Sequence, residues 1–376
     1  KIVDADFIRR HAHMTRIPGH IVKAVCPAPM GGFPMGIHPQ GVDGLEGYGE
    51  DEDWIMESRK ASRRSGDYQA WVDKWVLGCK NHDDFLGLLG QERIWHLKGK
   101  IQNDSWISAL DKVSDRLSTP AEPTAAETLV SIAAGKIEEI IRAKNYRLAL
   151  CGIGVSNLAA WLAYYNLKQQ GYPLELVAEI GYYGYSPQPS DPYVFNLRNM
   201  PSCRMISDIF TSLAIFMCGG QTPSVGVLGA GQIDKAGNIN TTKIADGPFL
   251  VGSGGANDIA SGATETIVTL EQTKERFVEK VDYITSPGMK VSTVISQMGI
   301  FEKDASGELI LTAYVPVKRG ASGEESVRNI REHCGWKLNV KDKLQILSPP
   351  TEEDILFIRS FDPKRYFLGS AESQRL

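Results

Sequence analysis

The sequence predicts an α/β fold built on an open, mostly parallel sheet sandwiched by helices, and three observations lead to it. A short apolar run, Tyr146–Cys151, leads into Gly152-Ile153-Gly154 and then into helical periodicity from Ser156 to Gln170. Further apolar runs at Pro173–Ala178, Val225–Leu228 and Thr264–Leu270 alternate with helix-like segments, as parallel strands joined by crossover helices require. Two glycine-dense turns, Leu228–Thr242 and the stretch opening at Val251, lie among these runs.

Composition narrows the function classes. A chain of 376 residues points to two or more domains, and 42% hydrophobic with 23% charged residues fits a globular protein with a large core. A formal net charge of −4 makes no electrostatic case for nucleic acid or an anionic membrane. No apolar run approaches the ~20 residues of a membrane span, and no signal peptide is visible. Six cysteines without C-x-x-C spacing indicate neither zinc nor a disulfide framework, and read as reduced thiols in a cytoplasmic protein.

The elements follow in order. The chain opens on Lys1 inside an apolar–polar segment, which reads as a chain beginning within a larger design. From Ala70 to Leu89, Trp71, Trp75, Val76, Phe85, Leu86 and Leu89 recur at helical spacing, with a break near Gly78–Asn81; this stripe reads as core or subunit contact. Ser105–Leu117 is a short amphipathic stretch, Ser118–Pro123 a linker, and a domain boundary belongs near Pro123. Thr124 and Glu127 form a capping box, and Leu129, Ile132, Ile137 and Ile140–Ile141 carry the helix on to about Lys144. The glycine turn after Cys151 is not a dinucleotide fingerprint, because Asn157 stands where the third glycine belongs.

Chemistry concentrates after Ala178. Glu179 ends the strand Leu174–Ala178, and ligands in open α/β sheets gather at the carboxyl ends of strands. Position alone favours a solvated strand-end glutamate. Gly252, Gly254 and Gly255 follow the apolar run Phe249–Val251, where glycines let backbone N–H groups converge on an oxyanion or simply form a turn. Tyr182, Tyr183, Tyr185, Tyr193 and Phe195 read either as core or as the lining of an acyl pocket. The histidines, including His11, His13, His20 and His38, lack metal-ligand spacing. The acidic run Glu50–Asp53 reads as solvated surface. Cys203 and Cys218 flank the region without a base at recognisable spacing, so neither is taken as a nucleophile.

The stretches LGAGQIDKAGNINTT (Leu228–Thr242) and VGSGGANDIASGATETIVTLEQTKERFVEKVDYITSPG (Val251–Gly288), taken in this order, resemble the β subunit of the family I coenzyme A transferases, of the glutaconate CoA-transferase type. That resemblance covers residues 124–376. IPGHIVKAVCPAPMGGFPMGIHPQG (Ile17–Gly41), YGEDEDW (Tyr48–Trp54) and Lys74–Gly99 resemble the C-terminal part of the α subunit of the same enzymes. The domains expected are thus 1–105 as an α-like tail, 106–123 as linker and 124–376 as a β-like transferase domain.

The resemblance implies a CoA-transferase-like fold with Glu179, in its E-x-G word, as catalytic nucleophile. It implies an oxyanion and CoA loop of Ser253, Gly254, Gly255, Ala256 and Asn257, with Asp258 completing the word or capping the next turn. Gln232 and Asp234 match the second word, although Gly231 replaces a larger neighbour. Tyr182, Tyr183, Tyr185 and Gln232 would line the substrate pocket. His38, in Gly36-Ile37-His38-Pro39, would help form the subunit interface or fix a turn. No cofactor would be permanently bound, coenzyme A being a substrate, and no metal is implied. A partner chain carrying the missing α-like segment is expected, within a higher oligomer. Two alternatives stay open: a hydrolase or decarboxylase of the same fold acting on a cyclic or dicarboxylic acyl-CoA, and a non-catalytic CoA-binding subunit.

Overall fold

Asp51 and Asn81 start the helices of the N-terminal part. Asp51 accepts the Trp54 N–H at 2.9 Å at the head of α1 (Glu52–Ala61), and Asn81 accepts the Asp84 N–H at 2.9 Å at the head of α3 (His82–Leu89). Between them, α2 (Ser65–Val72) runs into a π turn over Asp73–Leu77 that stops at Gly78, so the expected break has a physical cause in that stop and the Asn81 cap. α4 (Gln91–Gly99) follows. The computed structural model describes residues 17–24, 28–37, 47–101, 105–117, 122–220 and 223–369. His11, His13, Cys26, His38, residues 118–121 of the expected linker and the last seven residues fall outside these. The chain divides into two compact units, Lys1–Lys98 and Gly99–Leu376.

In the first unit the aromatic stripe is core. Met30, Tyr48, Trp75, Leu89 and Leu97 are buried, with Trp71, Phe85 and Leu86 packed against them, and Trp54 meets Trp71 edge-on at 4.7 Å. Val76 alone of the stripe is well exposed. The expectation of a solvated acidic run is corrected for its first half: Glu50 and Asp51 are buried, Asp51 being used both as a helix cap and as the partner of Arg93 at 2.8 Å, whereas Glu52 is half-buried and Asp53 exposed.

The second unit begins with two short helices, α5 (Ser105–Asp111) and α6 (Ser114–Leu117), and then α7 (Ala125–Lys144). The capping box is complete: Thr124 Oγ1 accepts the Glu127 N–H at 3.3 Å, and Glu127 Oε2 accepts the Thr124 N–H at 2.9 Å. Glu127 is fully buried and also pairs with Arg359, at 2.9 Å, and Arg365, at 3.0 Å. Burial pushes its carboxyl up, but hydrogen bonds from Arg359, Thr124 and Arg365 outweigh that and hold it down at about 2.

The strands are β1 (Leu148–Cys151), β2 (Glu175–Ala178), β3 (Tyr182–Tyr183), β4 (Met205–Ile206), β5 (Ser224–Gly229), β6 (Gln232–Asp234), β7 (Ile239–Asn240), β8 (Glu265–Thr269), β9 (Phe277–Val278), β10 (Val291–Ile295), β11 (Gly299–Lys303), β12 (Leu309–Tyr314) and β13 (Val340–Ile346). Ten form one sheet in the order β13-β12-β11-β10-β8-β5-β1-β2-β3-β4, and β7-β6-β9 form a small second sheet. The contiguous centre β10-β8-β5-β1-β2 is wholly parallel, and antiparallel pairs flank it through β11 and β3. This is the open α/β sheet that the alternating runs predict.

Side chains alternate between two cores, one on each face. Ala149, Cys151, Leu176 and Ala178 pack in a cluster with α7 and with α8 (Val155–Gln169), whereas Leu148, Leu150 and Val177 pack in the other with α9 (Ala256–Gly262). The C-terminal helix α11 (Glu352–Phe361), the eleventh after α10 (Gly323–Glu332), lies against α7 and α8. Among the described residues no helix is long and apolar enough to cross a membrane.

Candidate active site

Glu179 stands at the tip of the hairpin between β2 and β3, at the carboxyl edge of the parallel sheet. The Gly181 N–H donates to the Ala178 carbonyl at 3.0 Å and closes the turn. Gly181 has φ +110, and a Cβ there would lie 2.2 Å from the Ser207 carbonyl oxygen, so only glycine lets the chain reverse under β4. The turn leaves Glu179 half-buried, aimed at the glycine loop. Its Oε2 accepts the Gly255 N–H at 3.3 Å.

The loop reaches that carboxylate through two different uses of glycine. Gly254 takes φ +51, which turns the backbone before α9 begins. Gly255 has ordinary φ but no room: a Cβ there would sit 2.7 Å from Glu179 Oε2 and 3.3 Å from Leu213 Cδ1. Ala256 donates its N–H to the Ser253 carbonyl at 3.1 Å, and the Ser253 hydroxyl donates to the Gly254 carbonyl at 3.2 Å. Of the loop residues, Gly255 is thus the one the structure brings onto the glutamate. Asn257 faces elsewhere, donating its Nδ2 to the Thr285 carbonyl at 2.7 Å.

The tyrosines are placed by strand alternation. Tyr182 is the cross-strand partner of Ala178 and joins that residue's core, on the face of α7 and α8. Tyr185 belongs to the same core with no exposed surface; its hydroxyl accepts from Trp161 Nε1 at 3.1 Å and lies 3.7 Å from Cys151 Sγ. Leu213 and Ile259, which flank the glutamate and its loop, belong to the core of the opposite face. Tyr182 and Tyr185 are therefore packing residues, a correction to the expected pocket. Tyr183, half-buried, points to the Leu213 face and packs on Phe216 at 5.0 Å. Phe195 packs against the first core and meets Tyr193 edge-on at 5.5 Å. Truncating Tyr185 to alanine should cost about 3–5 kcal/mol of stability, as large aromatic deletions in cores do, and leave acyl preference unchanged. Thermal melts beside a panel of acyl-CoAs check this.

Gln232 is likewise committed to structure. In β6 its Oε1 accepts from Asn240 Nδ2 at 2.8 Å and its Nε2 donates to the Glu275 carbonyl at 3.2 Å. Asp234 caps the adjoining turn, accepting the N–H groups of Ala236 and Asn238. Burial pushes the thiols of Cys151 and Cys203 up to about 12 and that of Cys218 upward, which disfavours a thiolate at each. Leu213 was not legible as a site residue, since it acts through packing across a long sequence separation, whereas Gly181 stands in the E-x-G word with Glu179.

Residues 190–316 match the coenzyme A transferase family model. The B-type subunit of the 3-oxoadipate CoA-transferase of Pseudomonas knackmussii is 28% identical over 243 residues, covering 59% of this chain and 89% of that protein. The chain is thus similar to the coenzyme A transferases. The A-type subunit of the glutaconate CoA-transferase of Acidaminococcus fermentans is 35% identical over 98 residues, covering 26% of this chain and only 28% of that protein. The crystal structure of glutaconate coenzyme A-transferase from the same organism superposes with a TM-score of 0.54 at 25% identity, covering 66% of this chain and 98% of that one. The chain thus resembles subunits of both kinds, a B-type relative over most of its length and an A-type relative over a minor part.

Proposed function

We propose that the chain transfers coenzyme A between an acyl-CoA and a free carboxylic acid through a glutamyl-CoA thioester on Glu179. The observation that carries this reading is the Gly255 N–H held 3.3 Å from Glu179 Oε2 at the carboxyl edge of the sheet. A Glu179 carboxylate oxygen attacks the thioester carbonyl, and collapse of the tetrahedral intermediate expels the CoA thiolate and leaves an acyl–glutamyl anhydride. The thiolate then attacks the glutamyl carbonyl, expelling the first acid as carboxylate and forming the enzyme thioester. The incoming acid runs the two steps in reverse and leaves as a new acyl-CoA. In the thiolate attack the oxyanion grows on the glutamyl group itself, within reach of the Gly255 N–H. A well-aimed donor of this kind is worth about 3–4 kcal/mol. The half-buried position of Glu179, with a main-chain partner, supports a reactive carboxylate over a structural ion pair. Acid-dependent transfer accompanied by a CoA adduct on the Ala178–Gly181 peptide tests the reading; acyl-CoA cleavage that needs water and no acceptor acid would replace it with hydrolysis.

We further propose a partner chain that supplies the rest of an A-like half and completes the site. The similarity to 28% of one A-type relative, together with 89% of a B-type one, supports this. The cytoplasm is the proposed compartment, in keeping with the free thiols of all five described cysteines. Light scattering with parallel assays should find transfer only in a hetero-oligomer. Full turnover by a monomer of this chain would rule the partner out.

A further inference from the structure

We infer that Thr285 is a positioning residue that holds the glycine loop against Glu179. It lies in Ile284-Thr285-Ser286-Pro287-Gly288, beyond α9 and β8 from the loop it serves, and is 5% exposed. Its own N–H donates to the Ile239 carbonyl at 2.8 Å, which anchors it to β7. Its Oγ1 accepts the Thr241 N–H at 2.9 Å and shares a hydrogen bond with Thr242 Oγ1 at 2.8 Å. Thr241 and Thr242 in turn accept, through their carbonyls, the N–H groups of Val251 at 3.0 Å and Leu250 at 2.7 Å, just before the loop. On the far side, the Thr285 carbonyl accepts Asn257 Nδ2 at 2.7 Å in the first turn of α9.

One residue therefore ties down both ends of the 251–257 segment, the entry through its hydroxyl and the exit through its carbonyl. Between these ties the loop's own link to the glutamate is the single Gly255 N–H contact at 3.3 Å. Oxyanion donors lose their effect when displaced by a fraction of an ångström, so a loop with so little direct contact depends on its outer anchors. The inference rests on the transferase reading of Glu179 for its catalytic consequence, although not for the anchoring itself.

Two variants separate the hydroxyl from the bulk of the side chain. Thr285→Val keeps the branched shape and orphans the Thr241 N–H, whereas Thr285→Ser keeps the hydroxyl. In the full chain, amide hydrogen exchange over residues 250–257 should quicken about tenfold or more in Thr285→Val and stay within about threefold of wild type in Thr285→Ser. In the assembled enzyme given acetyl-CoA or glutaryl-CoA, Thr285→Val should slow formation of the Glu179 adduct by about tenfold or more, with KM for the acyl-CoA changed by less than about threefold. Thr285→Ser should restore the rate. Wild-type exchange in Thr285→Val, equal acceleration throughout the β5 and β8 strands, or a serine variant as impaired as the valine one would each overturn the role. An enzyme that forms no adduct in its wild-type form removes the nucleophile reading instead, and the exchange measurement still decides on Thr285.

Discussion

Replacing Glu179 by alanine should abolish both the CoA adduct and acyl transfer, lowering turnover by roughly four orders of magnitude or more while leaving acyl-CoA affinity within a few fold. Neither a methyl nor an amide can attack the acyl carbon, so no residual covalent route remains. Incubation of wild-type enzyme with acyl-CoA and no acceptor should build an adduct that hydroxylamine cleaves and that mass spectrometry maps to Ala178–Gly181. Glu179→Gln is the poorer test, because its amide can revert slowly to the acid. Glu179 has no ion-pair partner among the described residues, and the bond it does make comes from the Gly255 main chain at 3.3 Å. Alanine there leaves no buried charge unpaired, and the fold should survive. Full transferase activity in Glu179→Ala would disprove the assignment, and a water-dependent activity that vanishes with it would make Glu179 a general base.

Gly255→Val should be nearly as severe by a different route. Its Cβ would lie 2.7 Å from Glu179 Oε2, and the atom it meets is the free end of a flexible side chain. The glutamate can swing aside cheaply, so thermal stability should fall by only a few degrees. The displaced group, however, is the proposed nucleophile, and displacements of this size cost on the order of 100- to 1,000-fold in rate. Gly254→Val acts through strain at φ +51 in open space and should be milder. Paired melts and single-turnover assays check this: unchanged turnover in Gly255→Val would reduce the loop to a turn.

Local signals in the sequence were enough for the frame and part of the site. The capping box at Thr124, the apolar strand runs and the glycine turn after Cys151 are contiguous words, and each forms where its residues require. Glu179 and Gly255 were legible because each sits in a short word, although only folding shows that residues 76 apart in sequence touch. The tyrosines misled because ring density does not say which face of a sheet a ring takes. That follows from cross-strand register, and pairing Tyr182 with Ala178 sends it away from the glutamate. Asp51 misled similarly, since a run of acids reads as surface until Arg93, far along the chain, is seen beside it. Thr285 lies inside the Val251–Gly288 stretch, but nothing in its immediate neighbours singles it out, its importance lying in whom it joins.

The buried Glu127 has a consequence for how this chain comes into being. Its two arginine partners lie 232 and 238 residues further on. During synthesis the first long helix of the second unit emerges with a carboxylate that cannot leave water, because unpaired burial of a charge costs several kcal/mol. Burial of that helix start is therefore deferred until Arg359 and Arg365 arrive, more than 230 residues later. The ion cluster thus couples sealing of this core to the arrival of α11, and a chain truncated before α11 should keep the head of α7 hydrated.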